Sequence, residues 1–176
     1  MPVTTDEIED IAADSLSDIY QFCCYLTGNR SAAEDLCQDT FLKAIEIRDK
    51  IKHIDQRSDR NYLIGIAVNL WKNKHRKQVL RDTYLEPSTE NPSSGQISAE
   101  SIEDQVLKKE MAKEIQILIR ELPDKQRIVM NMYYSAEMSV PEIAQVLHIS
   151  KETVKSRLRL AKKKIRKRLE VRGYEI

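Results

Sequence analysis

Basic side chains that could bind phosphate are concentrated in one short stretch near the end of the chain. This stretch, ISKETVKSRLRLAKKKIRKRL over residues 149–169, carries ten Lys or Arg and one Glu. The whole chain has a formal net charge of only +1, since residues 1–47 hold ten acidic and two basic side chains. The asymmetry predicts different partners for different parts of the chain, with nucleic acid for the basic blocks. A solvated helical face is the alternative that composition leaves open.

The basic stretch lies within a helix-turn-helix pattern. Ser139 and Glu142 predict a capping box at the start of one short helix, and Ser150 is the predicted N-cap of the next. The second helix has an apolar stripe at helical spacing, formed by Val154, Leu158, Ala161 and Ile165. Two short helices joined by a tight turn predict a DNA-binding unit. The face predicted to enter a major groove carries Glu152, Lys155, Ser156, Arg159 and Lys163.

A second candidate surface for nucleic acid lies on a helix predicted over about residues 60–80. Its buried stripe is predicted to contain Leu63, Ile66, Ala67 and Leu70. The opposite face carries an aromatic ring, two amides and two basic groups, from Tyr62, Asn69, Lys72, Asn73 and Arg76. Aromatic rings stack on bases, amides read base edges, and basic groups hold phosphates, so this face suits single-stranded nucleic acid. An ordinary polar helix face would have a similar composition.

An acidic helix precedes this one in the chain. Ser31 and Glu34 predict a capping box at its start. Its apolar stripe is predicted to consist of Ala33, Leu36, Cys37, Thr40, Phe41, Ala44 and Ile45. The other side carries one leucine among polar and acidic residues, namely Asp35, Gln38, Asp39 and Leu42.

One stretch between the helical regions has the composition of a linker. Residues 82–100, DTYLEPSTENPSSGQISAE, contain two prolines, one glycine, four acidic residues and no basic residue. Such a stretch interrupts helices and buries little apolar area. We therefore predict an all-α fold of two small helical domains, residues 1–81 and 104–176, joined by a flexible acidic linker over residues 82–103. The helix-turn-helix belongs to the second domain.

Several classes of protein find no support in the sequence. No apolar run approaches the roughly 18 residues of a membrane span, and the N-terminus lacks the pattern of a signal peptide, so we expect a cytoplasmic protein. Cys23, Cys24 and Cys37 have no CxxC spacing, which favours reduced thiols packed in helices over a zinc site or disulfides. We expect no metal and no cofactor. Without a Gly-rich phosphate loop or a nucleophile–base pattern, an enzyme is not expected.

Three segments in order along the chain resemble one bacterial family. The resemblance is carried by LTGNRSAAEDLCQDTFLKAI, then YLIGIAVNLWKNKHRK, then LPDKQRIVMNMYYSAEMSVPEIAQVLHISKETVKSRLRLAKKKIRK. These segments resemble the sigma-70 family of RNA polymerase sigma factors, and within it the extracytoplasmic-function (ECF) subfamily. The resemblance covers nearly the whole chain apart from the linker and the termini.

The resemblance implies a binding protein that lends promoter specificity to RNA polymerase core. The face with Asp35, Gln38, Asp39 and Leu42 would dock on the clamp of the β′ subunit, since carboxylates suit a basic partner. The candidate nucleic-acid face of the helix over about residues 60–80 would recognise and open the minus-ten element through Tyr62, Asn69, Lys72, Asn73 and Arg76. The second domain would sit on the flap of the β subunit. Its recognition helix would read the minus-thirty-five element through Lys151, Glu152, Lys155, Ser156, Arg159 and Lys163.

The family also implies roles for the linker and for a further partner. The linker would thread the channel that later holds RNA, where its carboxylates imitate phosphates. An anti-sigma factor, often itself bound to a membrane, would hold the protein inactive, although this chain would not insert into a membrane. Two residues depart from the family pattern: Tyr62 stands where Trp is common, and Glu152 stands where Gly is common.

A stand-alone helix-turn-helix regulator is the alternative function. In that case the first domain would sense a ligand or form a dimer. The regulator hypothesis explains neither the acidic outward face nor the helix that combines aromatic and basic residues. The sigma-factor hypothesis explains both.

Overall fold

The structure is a computed structural model that describes residues 4–51, 55–84 and 103–175. These residues form helices and no β-strand, so the predicted all-α fold is confirmed. The longer helices are α1 (Thr5–Thr27), α2 (Arg30–Glu46), α3 (Gln56–Tyr84), α4 (Glu103–Arg120), α5 (Asp124–Met130), α6 (Val140–Leu147) and α7 (Lys151–Val171). A short 3-10 helix, Arg48–Lys50, follows α2, and a π-helical turn, Asn131–Ser135, follows α5.

The chain divides into two compact units, Met1–Ser94 and Gly95–Ile176. Helix α3 ends at Tyr84 and α4 begins at Glu103. The predicted linker therefore lies mostly outside the described residues. Its first three residues belong to α3. The domain boundaries drawn from the sequence remain a prediction.

The first unit is a three-helix core made by α1, α2 and α3. Its fully buried side chains come from all three helices and include Ile19, Phe22, Leu26, Leu36, Ile64 and Val68. Burial of such a side chain contributes about 1.5–3 kcal/mol. Leu63, Ile66 and Ala67 are buried as predicted, while Leu70 is half-buried. An ion pair between Arg60 and Asp18, at 2.9 Å, also joins α3 to α1.

The capping box predicted at Ser31 is wrong. Gly28 ends α1 in the left-handed conformation, with φ 69°. Asn29 is then extended and caps α2, and its side-chain oxygen accepts a hydrogen bond from the Ala32 amide at 3.0 Å. This short connection places Ser31 inside the first turn of α2. Glu34 instead accepts a hydrogen bond from the guanidinium of Arg30 at 3.0 Å.

The second unit packs α7 against α4, α5 and α6. Ser139 and Glu142 form the predicted capping box, and the Ser150 side chain accepts from the Thr153 amide at 3.1 Å. Between these caps, His148 adopts φ 53° and ψ 45° and makes the tight turn. Histidine is among the residues that enter this left-handed region more often than most. The predicted helix-turn-helix is therefore present.

Apolar contacts and ion pairs hold α7 in place. Its buried side chains are Val154, Leu158, Ala161, Ile165 and Leu169, which include all four predicted from the sequence. At its C-terminal end, Arg168 forms an ion pair with Glu121, and Arg172 forms one with Glu114. The polar face of the N-terminal half of α7 is exposed to solvent.

The three cysteines are free thiols in the first unit. Cys23 and Cys37 are buried, and Cys24 is half-buried. The hydrogen bond between Cys23 and Cys37 raises the pKa of the Cys23 thiol, and burial raises it further. The same hydrogen bond lowers the pKa of Cys37 and outweighs burial, which acts in the opposite direction there. Desolvation raises the pKa of Cys24. The expectation of unpaired thiols packed in helices is confirmed for this unit.

Candidate functional site

The acidic face of α2 points away from the three-helix core. Asp35, Gln38 and Leu42 are exposed, and 64% of the Leu42 side chain is accessible to solvent. A leucine this exposed contributes little to the core. The face thus combines an apolar contact point with carboxylate and amide groups, as the sequence predicted.

Asp39 differs from the rest of this face because it has a partner within the unit. Its carboxylate accepts a hydrogen bond from the Lys74 ammonium of α3 at 2.6 Å. Both side chains remain about half-exposed, so solvent screens the pair and it contributes little to stability. Asp39 therefore links the acidic face of α2 to the basic part of α3.

Ile45 was predicted to be buried, and that prediction is wrong. The side chain is 40% exposed. It follows Leu42 by three residues and Gln38 by seven, so the three side chains share one side of the helix. Ala44, one residue earlier, is buried and Phe41 is half-buried, so Ile45 lies at the edge of the apolar stripe rather than at its centre. Ile45 thus enlarges the apolar part of the acidic face.

The five side chains that were predicted to contact single-stranded nucleic acid lie on one side of α3. All five side chains are exposed, namely Tyr62, Asn69, Lys72, Asn73 and Arg76. Tyr62, Asn69 and Arg76 follow one another at intervals of seven residues, which places them in one line along the helix. The aromatic group stands at one end of this line and the basic groups at the other.

Tyr62 borders a small, mostly apolar cleft. Ile8, Phe41 and Ile51 line the cleft, and Asp59 lies one turn before Tyr62 in the same lining. The tyrosine is 41% exposed, so one part of its ring packs on the cleft and the rest is accessible. A flat ring beside a concave apolar surface is suited to stacking on a base.

The polar face of α7 is fully accessible in the second unit. Its six predicted residues are all exposed, namely Lys151, Glu152, Lys155, Ser156, Arg159 and Lys163. The N-cap at Ser150 fixes where the helix begins, and the buried stripe fixes its rotation. These two constraints present the N-terminal turns as a convex, positively charged ridge, a shape suited to a major groove.

The residues that the structure describes contain neither a cluster of metal ligands nor a membrane-spanning helix. No group of three or more His, Cys, Asp or Glu side chains is placed to hold a metal ion within these parts of the chain. Across the same residues, no helix is long and apolar enough to cross a membrane. The features that stand out are exposed helix faces on two separate units.

Two family models match the chain, and each falls largely on one unit. The Sigma-70 region 2 model matches residues 11–81, which contain the candidate faces of α2 and α3. The model of Sigma-70, region 4, matches residues 112–165, which contain the helix-turn-helix. Their order is the one that the sequence resemblance implied.

Curated relatives match over nearly the whole chain. The ECF RNA polymerase sigma factor SigW of Bacillus subtilis (strain 168) is 34% identical, with 93% of this chain and 89% of the relative covered. The ECF RNA polymerase sigma factor SigM of the same strain is 25% identical, with 90% and 93% covered.

Two solved structures share the fold. One is the sigma factor RpoE in complex with the anti-sigma factor NepR from Bartonella quintana, with a TM-score of 0.68, 19% identity, and coverage of 96% of this chain and 99% of that one. The other is CnrH in complex with the cytosolic domain of CnrY, with a TM-score of 0.62, 20% identity, and coverage of 96% and 90%. With the two family regions and the identity to SigW, these findings show that the chain belongs to the ECF sigma factors of the sigma-70 family.

Proposed function

We propose that this chain binds RNA polymerase core and directs it to promoters through three exposed helix faces, without a catalytic step of its own. The observation that carries the proposal is the match of both sigma regions, in order, to units that each present such a face. Polymerase contact is assigned to α2, minus-ten recognition to α3 and minus-thirty-five recognition to α7. The stand-alone regulator is not favoured, because region 2 has no role in it.

The α2 face supports docking on a basic partner, the clamp of the β′ subunit. Asp35 and Gln38 supply polar contacts, and Leu42 supplies an exposed apolar one. Interfaces of this kind combine a small apolar centre with a charged surround that orients the approach. Ile45 joins the apolar centre in this proposal. Asp39 would have to give up or share Lys74 to contact the polymerase.

The α3 face supports contact with a melted minus-ten strand. Tyr62 offers a stacking surface, Asn69 and Asn73 offer amide groups to base edges, and Lys72 and Arg76 attract phosphates. Their exposure on one side of a helix that is anchored by a buried stripe gives a rigid surface for an otherwise flexible strand.

The α7 face supports reading of the minus-thirty-five element in the major groove. Lys155 and Arg159 lie in line, one turn apart, and Ser156 stands beside them. Glu152 lies in the first turn of the helix, where the helix dipole favours a carboxylate. Its oxygen can accept a hydrogen bond from the amino group of cytosine.

A regulatory partner is proposed from the named complexes of the structural relatives. RpoE is bound to the anti-sigma factor NepR, and CnrH is bound to the cytosolic domain of CnrY. By analogy, we propose that an anti-sigma factor restrains this chain. Isolation of the native protein, followed by identification of any small protein that accompanies it, tests this part of the proposal.

Transcription with purified components tests the central proposal. Polymerase core with the chain added should start transcription from a subset of a promoter library, whereas core alone and the chain alone should not. The stand-alone regulator predicts the reverse, namely DNA binding by the chain without core. Promoter-independent transcription in the presence of the chain would contradict both functions.

A further inference from the structure

Two adjacent tyrosines lie at the surface of the second unit. Tyr133 and Tyr134 belong to the π-helical turn Asn131–Ser135, and their side chains are 36% and 50% exposed. Their ring centroids are 4.9 Å apart and their planes meet at 73°, the edge-to-face arrangement. The buried residues of the turn, Asn131 and Met132, hold it to the core. The rings therefore have a fixed position but present part of their area to solvent.

A lysine of α7 lies over both rings. The Lys162 ammonium nitrogen is 5.9 Å from the centroid of Tyr133 and 5.6 Å from that of Tyr134, within the range of a cation–π contact. A hydrogen bond with the Tyr134 side chain is the main cause of a raised pKa at Lys162. A lysine ammonium has three donors. One hydrogen bond to tyrosine therefore leaves donors for another acceptor, and the rings restrict where the ammonium can go.

The position of this cluster relates it to the groove-facing residues of α7. Lys162 follows Lys155 by seven residues and Arg159 by three, so all three lie on one side of the helix. Seven residues of helix rise about 10 Å, and a major groove is about 12 Å wide. With the N-terminal turns of α7 in the groove, this distance is compatible with a contact between Lys162 and the sugar–phosphate backbone at the groove edge.

We propose that Tyr133, Tyr134 and Lys162 form a binding site for a backbone phosphate that borders the minus-thirty-five element. The inference rests on the function proposed for α7. Tyrosine hydroxyl and lysine ammonium groups both donate to phosphate oxygens, and such contacts set the register of a protein on DNA without reading bases. A phosphate is favoured over a protein partner because Lys162 continues the line of the exposed cations Lys155 and Arg159 on α7.

The test uses holoenzyme that is assembled from the full chain and polymerase core, bound to a promoter duplex over a series of salt concentrations. Lys162→Gln should lower the slope of log affinity against log salt by about 0.9, the value for one lost phosphate contact. Lys162→Arg should restore most of that slope. Lys164→Gln is the matched control, because Lys164 is an exposed lysine of the same helix that lies off the line of Lys155 and Arg159.

The hydroxyl groups are tested separately from the charge. The double variant Tyr133→Phe, Tyr134→Phe keeps both rings and should weaken binding by about ten-fold or more, since hydrogen bonds from uncharged hydroxyls to a charged phosphate are lost. The salt slope and the base preference should stay as in the parent. Tyr174→Phe, a half-buried tyrosine of the same unit, is the control and should have no effect.

Neutral methylphosphonate linkages that replace single phosphates of the promoter duplex, one at a time, locate the phosphate in contact with the site. One linkage beside the minus-thirty-five element should weaken parent holoenzyme but have no further effect on Lys162→Gln. If Lys162→Gln leaves the salt slope unchanged, or weakens assembly with core instead, the phosphate site is refuted. If parent holoenzyme ignores the minus-thirty-five sequence altogether, the function proposed for α7 fails instead.

Discussion

At the scale of single residues, the basic side chains of α7 are not equivalent. Lys155 and Arg159 lie on the side that we propose faces the groove, close to the N-terminal turns. Lys167 is exposed about two turns beyond Arg159, so in this proposal it would lie outside the width of one groove. Contacts to bases discriminate between sequences, and contacts to phosphates add affinity to all of them. The same charge therefore has a different consequence at each position.

This difference predicts distinct results for two alanine variants. Arg159→Ala should weaken binding of holoenzyme to its cognate minus-thirty-five element by about 1–3 kcal/mol and relax the sequence preference there. Lys167→Ala should at most lower binding to all promoters equally and reduce the salt dependence. Transcription from a promoter library at one salt concentration measures both. A uniform decrease with Arg159→Ala would make that side chain a phosphate contact only.

Thiol reactivity tests the packing of the first unit. The thiol of Cys24 is half-buried, whereas Cys23 and Cys37 lie in the core and are hydrogen-bonded to each other. Because only an accessible thiolate attacks a disulfide reagent, Cys24 should be the one cysteine labelled in native protein at pH 8. Its raised pKa should make that reaction slower than the reaction of a free thiol.

Mass spectrometry of labelled peptides identifies the reactive site. Cys24→Ser should abolish native labelling, and denaturant should expose the other two thiols together as the unit opens. Rapid modification of Cys23 in native protein would mean that α1 and α2 do not pack as described.

At the scale of helices, α2 carries the proposed docking face, and the ion pair of Asp39 complicates a test of it. Asp39→Arg would break the pair with Lys74 and place two cations together. Asp35→Arg with Leu42→Ala avoids this, because both side chains are exposed and neither has a partner among the hydrogen bonds and ion pairs described. The variant should weaken core binding by at least about ten-fold, or 1.4 kcal/mol, since like charges would then face each other.

The matched control makes the same two kinds of change on α1. Glu9→Arg with Leu16→Ala also alters one exposed carboxylate and one exposed leucine of the first unit. It should leave assembly with core unchanged on native gels. Equal losses for the two variants would point to a general effect of charge, and unchanged assembly for both would remove α2 from the interface.

The features of each helix that depend on residues close in sequence could be predicted. Those that depend on residues far apart in sequence could not. Ser139 and Ser150 could be predicted as caps because the cap depends on a hydrogen bond between the serine side chain and an amide only three residues later. The capping box predicted at Ser31 was wrong because Gly28 ends one helix and Asn29 caps the next, within two residues. The predicted burial of Ile45 was wrong because periodicity shows an apolar stripe but not how much of its width the neighbouring helices cover. The Asp39–Lys74 pair joins residues far apart in sequence, and local patterns do not reveal it.

At the scale of the whole molecule, we propose that the two units act on one promoter because one chain joins them. Binding of the first unit makes the second binding step intramolecular, which raises avidity without new contacts. Each interface can then be modest by itself. The helix-turn-helix itself was predictable because its caps and apolar stripe are local patterns, whereas the assignment of a partner to each exposed face stays a prediction.

The segment between the two units carries carboxylates that could affect the early steps of RNA synthesis. Glu86 and Glu90 lie outside the described residues, and the family resemblance implies that their segment occupies the path of the nascent RNA. Replacement of both by Gln removes two negative charges, so repulsion between this segment and the RNA phosphates should fall. Promoter binding should stay nearly unchanged, while the ratio of short abortive RNA to full-length RNA should shift.

Lys108→Gln with Lys109→Gln, at the start of the second unit, is a control for charge change outside the segment. Identical RNA profiles for the parent and the Glu86→Gln, Glu90→Gln variant would mean that the segment only tethers the two units.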